Sequence, residues 1–325
     1  MPNINEIQSM TKLSEKDYFW KNFRLGTELQ NSGTFIYNGI FHLDNIEYFR
    51  FEEECFEFLY NISVGIERLQ KILIILIEHD SSKSQEDFEK SLITHNHLEL
   101  LKRIKADREL NFGKPHIKFL RLLADFYKSS RYERFNISSV YKPAQEKEQL
   151  VEFIINELNV ELTEGLINLL ENTDRVKDFL GKLIMKISTT LYALIRKEAS
   201  RIGTFTHEIR YNSKAYKIFI EQEFGFKNER LMQREVLLFL LKSFPDDELK
   251  KFIDSITPLP FDQHHTNHYI ESILNIHKDG SVKDEMLHLY EEERSSKERL
   301  NEILAIGSNI NFDYFENSDS DEDFE

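Results

Sequence analysis

Leu59, Ile62, Ile66, Leu69, Leu73 and Leu76 recur at alternating intervals of three and four, which sets all of them on one face of an α-helix. Ile72, Ile74, Ile75 and Ile77 then spread apolar surface almost all the way round the C-terminal end of the same helix. A helix with no polar face is stable only in the middle of a bundle, so the rest of the chain has to supply helices to surround it. With 40% hydrophobic and 12% aromatic residues, a chain of 325 can bury one large core or two ordinary ones. Eleven glycines and six prolines are few for that length, which favours long helices over many tight turns. The expected fold class is all-α, a multi-helix bundle with a C-terminal helical extension.

Further helices follow from the same spacing rule. Leu98, Leu101 and Ile104 predict one over 96–105. Pro115, acceptable in a first helical turn, opens another that carries Ile117, Leu120, Ala124 and Tyr127 inward. Pro143 separates that block from a helix over 145–158. Thr173 or Asp174 can cap a long helix with Val176, Leu180, Leu183, Ile187, Leu191 and Leu194 on its inner face. Gly203 interrupts the pattern, 215–223 resumes it, and helices follow over 229–242, 246–256 and 267–277, with a last one from about Ser281. Residues 1–33 show no clear pattern. In 35–43, Asn38-Gly39 between β-prone residues reads as a small hairpin, the one expected departure from helix.

Charge and leader composition narrow the function classes. The net charge is −15, from 57 acidic and 42 basic residues, which argues against non-specific duplex binding, since that needs many phosphate-neutralising Lys and Arg. Seven acids and no base lie between Asp313 and Glu325, leaving −8 for the remainder. That segment, with too few apolar side chains to offset ordering entropy, reads as a disordered acidic tail that solubilises the chain or imitates a nucleic-acid strand. Met1 to Asp17 has no apolar core of the secretory kind, and the aliphatic run Ile72–Ile77 is far shorter than the roughly 20 residues of a membrane span. One cysteine, Cys55, excludes an intramolecular disulfide. A cytoplasmic protein without membrane contact is expected.

The stretch Ile62-Ser63-Val64-Gly65-Ile66-Glu67-Arg68-Leu69-Gln70-Lys71-Ile72-Leu73-Ile74-Ile75-Leu76 resembles the first long helix of HEPN domains. Thr94-His95-Asn96-His97-Leu98-Glu99-Leu100-Leu101-Lys102-Arg103-Ile104 is similar to the opening of the next helix in that superfamily. The resemblance implies a compact bundle of four or five helices that often dimerises, in a bacterial anti-phage defence or toxin–antitoxin setting. Many such domains are metal-independent ribonucleases that use an arginine and a histidine five to seven residues apart. Others lack the motif and bind nucleotides or partner proteins. Here the spacing falls on Arg201 and His207: a guanidinium to hold the scissile phosphate and an imidazole to move a proton during 2′-hydroxyl attack. A structural role for both is the alternative. A homodimer, RNA and a partner protein are the expected associations, with no cofactor and no metal.

Other residues carry weaker signals. His95 and His97 flank Asn96 at a helix start, where they could reach a phosphate through the helix N-terminus or serve the cap and turn. Arg131 and Arg134 alternate with aromatic residues, which can stack on single-stranded bases or cover a helix end. His264, His265 and His268 would need a further ligand to hold zinc, and a polar loop in which Thr266 or Asn267 caps the next helix is the simpler reading. Phosphate loops, nucleophile elbows and dinucleotide fingerprints are missing. The expected organisation is an N-terminal segment over 1–44, a HEPN-like bundle over 45–225, a C-terminal helical subdomain over 226–310 and the acidic tail over 311–325.

Overall fold

The computed structural model describes residues 13–82, 84–129, 145–162, 169–226, 248–274 and 281–292, with a few isolated positions elsewhere. The described residues are helical with no strand; the sole β-contact among them is an isolated antiparallel bridge between Tyr48 and Glu171. Arg131, Arg134, most of the helix expected over 229–242 and the acidic segment 311–325 lie outside the described residues. Backbone contacts divide the chain after Phe226 into two compact units.

The first unit runs from α1 (Glu15–Phe19) through a π-helical turn at Trp20–Arg24 directly into α2 (Leu25–Asn45). Then come α3 (Glu52–Glu78), α4 (Gln85–Ser91), α5 (His97–Asp107), α6 (Lys114–Ser129), α7 (Gln145–Leu158), α8 (Asp174–Arg201) and α9 (Lys214–Phe219). The apolar helix is α3, and it is central: α2, α5, α6, α7 and α8 all pack on it. Its six stripe residues are buried, and so are Ile72, Ile74 and Ile75 on its other sides. Each such side chain contributes about 1.5–3 kcal/mol relative to exposure, so α3 anchors the unit. Glu52, Glu53 and Glu54 in its first turn complement the helix dipole where no side chain caps the end.

The hairpin expected over 35–43 is not formed; those residues lie inside the 21-residue helix α2. Asn38 and Gly39 signal a turn only if nothing else explains the glycine. Here packing explains it: a Cβ on Gly39 would come within 2.5 Å of Ile62 Cδ1, and one on Gly33 within 2.5 Å of Ala215 Cα. Glycine thins α2 on the two sides where α3 and α9 cross it. Asn38 Oδ1 accepts from Lys214 Nζ at 2.7 Å rather than closing a turn. Between α2 and α3, the loop is pinned to the segment before α8: Asn172 Nδ2 donates to the carbonyls of Leu43 (2.7 Å) and Ile46 (3.0 Å).

The described part of the second unit comprises α10 (Glu248–Ser255), a 3₁₀ turn at Gln263–His265, α11 (Thr266–Leu274) and α12 (Ser281–Glu292). Asp262 caps the 3₁₀ turn of the histidine run, accepting from His264 N at 2.8 Å, and Thr266 is itself the first residue of α11. Tyr269 joins α11 to α12 by donating to Glu285 Oε1 at 2.8 Å. Among the described residues no helix is long and apolar enough to cross a membrane.

Candidate functional site

Arg201 is the last residue of α8. Gly203 follows at φ 70°, the left-handed conformation that closes a helix, and Thr204 N bonds back to Ala199 O at 2.9 Å. The next residues then dock on the N-terminal π turn. Phe205 N donates to Asn22 Oδ1 at 2.6 Å, and Thr206 Oγ1 donates to Lys21 O at 2.7 Å. Thr204 and Thr206 are buried. The segment between the arginine and the histidine is thus a plug that fastens the end of α8 to the start of the chain.

The Arg201 guanidinium is already engaged. Its Nε donates to Glu198 Oε2 at 2.6 Å, and the same carboxylate accepts from Arg108 Nε at 2.5 Å and Nη2 at 2.8 Å. Glu198 is 1% exposed. The two-point bond from Arg108, against the cost of burial and with help from Arg201, holds its carboxyl below the ordinary carboxylate range. His207 takes a different course: its backbone carbonyl accepts from Tyr192 Oη at 3.1 Å, and its Nδ1 is buried with no hydrogen-bond partner among the described residues. No hydrogen bond joins Arg201 to His207 among them.

His97 sits in the core, fully buried, with Ser63 Oγ 2.9 Å from its Nε2 and Gln70 Oε1 3.0 Å from its Nδ1. Gln70 Nε2 donates to the His97 carbonyl at 3.0 Å, which fixes the amide and presents its oxygen to Nδ1. Nδ1 therefore carries the proton and Nε2 accepts from the serine. Burial pushes the ring down to about 4, so it is neutral near pH 7. The N-terminus of α5 is closed by Asn96, whose Oδ1 accepts from Leu98 N at 3.1 Å and Glu99 N at 3.4 Å.

His95, two residues earlier, is placed quite otherwise. Its side chain is 42% exposed, its Nδ1 is 3.0 Å from Glu67 Oε2, and its ring stacks on Tyr127 with centroids 3.9 Å apart. Glu67 also accepts from Lys71 Nζ at 2.7 Å, one helical turn on. These groups border a groove of about 450 Å³ that Trp20, Tyr60 and Arg68 also line. Arg68 bonds to Glu28 through Nη1 and lies over the Phe35 ring. Its Nε is buried with no hydrogen-bond partner among the described residues. Of the histidines marked in the sequence, His95 is the one that combines exposure, an orienting carboxylate and neighbouring cations.

Sequence reasoning did not find Glu67, Lys71 or Lys21. The first two left a trace, charged residues at i and i+4 interrupting a helix that is otherwise apolar on nearly every side. Lys21 is 2% exposed, donates to His79 O at 3.4 Å and is lowered by burial, with Asp17 and Asp80 opposing the shift. It lies in the segment that had no readable pattern. Among the described residues no group of three or more His, Cys, Asp or Glu is arranged to hold a metal. Compared with protein-family models, with curated proteins and with solved structures, the chain matches none.

Proposed function

We propose that this chain is a HEPN-like, cytoplasmic component of a bacterial defence or toxin system that acts without catalysis of its own, as a helical adaptor or regulator of a partner protein. The observation that carries this reading is the shared carboxylate of Glu198. It takes both Arg201 and Arg108, so the guanidinium that a ribonuclease of this kind would turn toward a phosphate is tethered through its Nε to a carboxylate of its own chain. Support comes also from the face beside it. Phe19 and Phe23 stack with centroids 5.4 Å apart, and Phe23 and Phe205 border a groove while 60% and 52% exposed. Aromatic side chains of this kind are enriched at protein interfaces.

The second reading is a metal-independent ribonuclease, favoured by the 52% exposure that the Arg201 side chain retains beside buried Lys21. A homodimer would set two such helix ends together. The deciding experiment incubates the purified full chain with RNA in EDTA, beside Arg201→Ala and His207→Ala. No cleavage is expected from any of the three. Cleavage by the parent chain that both substitutions abolish would replace the adaptor with the ribonuclease.

A further inference from the structure

The groove bordered by Phe23 and Phe205 has a chemistry that docking of a partner protein does not require. One wall is the helix that runs through the π turn, with Tyr18, Phe23 and Gly26; the other is the loop after α8, with Phe205 and Glu208. Both walls are fixed in advance. Asn22 Oδ1 and Lys21 O hold the loop through Phe205 N and Thr206 Oγ1. Glu208 N donates to Phe205 O at 3.0 Å, a turn that keeps the ring and the carboxylate on one short stretch. Phe19 backs the Phe23 ring, with centroids 5.4 Å apart. A volume of about 440 Å³ lies within the usual range for small-ligand sites.

The lining asks for a cation that the chain does not supply. Among the described residues Tyr18, Phe23 and Phe205 make no ring contact with one another, and no Lys or Arg lies over any of them, although such cations cover Phe35 and Tyr37. An aromatic face attracts positive charge. The Glu208 carboxylate is exposed and has no ion pair or hydrogen bond among the described residues. Gly26 adds room. A glycine weakens a helix, and nothing in the packing of the chain requires this one: a Cβ there would meet only Thr206 O, at 3.9 Å.

Hydrogen bonding decides which cation fits. Asn22 Oδ1 and Gln30 Oε1, the amide oxygens of the lining, already accept from Phe205 N and Ser213 Oγ. A primary ammonium brings three donors and would meet a single free carboxylate. A fully alkylated ammonium brings none, and needs only aromatic faces and a negative charge. The net −15 of the chain draws cations toward it.

We propose that this groove binds a small molecule with a fully alkylated ammonium head, seated among Tyr18, Phe23 and Phe205 beside Gly26, with Glu208 as its counter-charge. The site does not depend on Arg201, on RNA or on a partner protein.

The test is calorimetric titration of the full chain with choline, with dimethylbutanol as its uncharged carbon isostere, with ethanolamine, and with a peptide carrying trimethyllysine. Choline binds with a Kd of about 1 mM or below. Dimethylbutanol and ethanolamine each bind at least about fivefold more weakly, and the peptide binds no more tightly than choline. Phe205→Leu, which keeps the apolar bulk and loses the ring, and Glu208→Gln each weaken choline binding about threefold to fivefold with the helical circular dichroism unchanged. Gly26→Leu fills the groove and abolishes binding, and since leucine is the better helix former the fold is kept. Absence of choline binding at about 20 mM, equal binding of choline and dimethylbutanol, or binding that all three substitutions leave unchanged overturns the proposal. Binding of the peptide where choline fails also overturns it, and moves the site to a methylated side chain of another protein.

Discussion

Ser63 Oγ stands 2.9 Å from His97 Nε2, and Gln70 Oε1 stands 3.0 Å from the opposite ring nitrogen, so a hydroxyl, an imidazole and an orienting side chain are in line. The order is that of a nucleophile, its base and the group that sets the base's tautomer. All three residues are 0% exposed, however, and no substrate can reach the serine. The arrangement is a polar tie between α3 and the start of α5. Every buried donor and acceptor on the histidine ring has a partner, which is what makes a polar group tolerable in this core.

Stability should fall on mild acidification because of His97. Burial lowers the folded ring from the ordinary 6.5 to about 4, with Lys71 and His95 adding to the shift and Glu67 opposing it. Between those values the unfolded chain binds a proton that the folded chain does not. The contribution is therefore complete above about pH 6.5, is lost as pH drops toward 4, and amounts to roughly 3 kcal/mol across the window. Urea midpoints at pH 7 and pH 5 will show it. His97→Gln, less stable at pH 7, should lose about 2 kcal/mol less than the parent on going to pH 5; equal losses would refute the assignment.

Glu198 should matter more than either of its arginines. Glu198→Gln leaves two guanidiniums facing an amide, and about 2 kcal/mol of stability should be lost, below the 3–5 of a fully buried pair because both arginines keep some solvent. Arg201 is half exposed and makes a one-point bond, so Arg201→Ala should cost under about 1 kcal/mol. Arg108→Ala, which removes the two-point bond, should fall between them. Denaturation of the three variants ranks them. If Arg201→Ala proved the most damaging, Arg201 rather than Arg108 would be the main counter-charge.

The long amphipathic helices were legible because their burial is periodic along the chain. The helix expected over 145–158 has those bounds, and the stripe from Leu59 to Leu76 lies buried within α3. Helix α2 was not legible over 35–43, since Asn38-Gly39 is a sound local turn signal and only the crossing of α3 and α9 requires the glycine there. The π turn was invisible for a related reason. Its buried Lys21 and Asn22 read as surface residues until His79 O is seen to take the Lys21 ammonium and the backbone N–H of Phe205, 183 residues away, to meet the Asn22 side chain. At the groove, His95 could be marked from the helix start that follows it. Its partner Glu67 could not, because that pairing exists only once α3 and the start of α5 are side by side.

Gly33 offers a direct check on helix α2. A Cβ there would sit 2.5 Å from both Cα and Cβ of Ala215, so α9 must move for any larger residue to fit. Gly33→Val should cost about 1–3 kcal/mol through overpacking, even though valine is the better helix former of the two. Thr34→Val, adjacent but half-buried, should stay within about 0.5–1 kcal/mol of the parent. Thermal melts of the two separate the clash at Gly33 from the mere placing of a valine in α2. Equal effects would mean that α9 does not press on Gly33.

Cys55 should be chemically silent in the folded chain and should report its opening. Its side chain is 0% exposed in the second turn of α3, and burial, reinforced by Glu54, Glu53 and Glu52 against Lys147, pushes the thiol up to about 12. Attack on a disulfide reagent requires the thiolate, which at pH 8 is then about one part in ten thousand even before access is considered. In the unfolded chain the same thiol returns to its ordinary value and reacts within minutes. Labelling by a coloured aromatic disulfide at pH 8 should therefore be negligible in buffer and become complete over the urea range in which circular dichroism is lost. Because α3 is the helix on which five others pack, its first turns should open only with the whole unit. Labelling well below the unfolding midpoint would show instead that the N-terminal end of α3 frays on its own, and that the bundle is held together from the Ile66–Leu76 half of the helix.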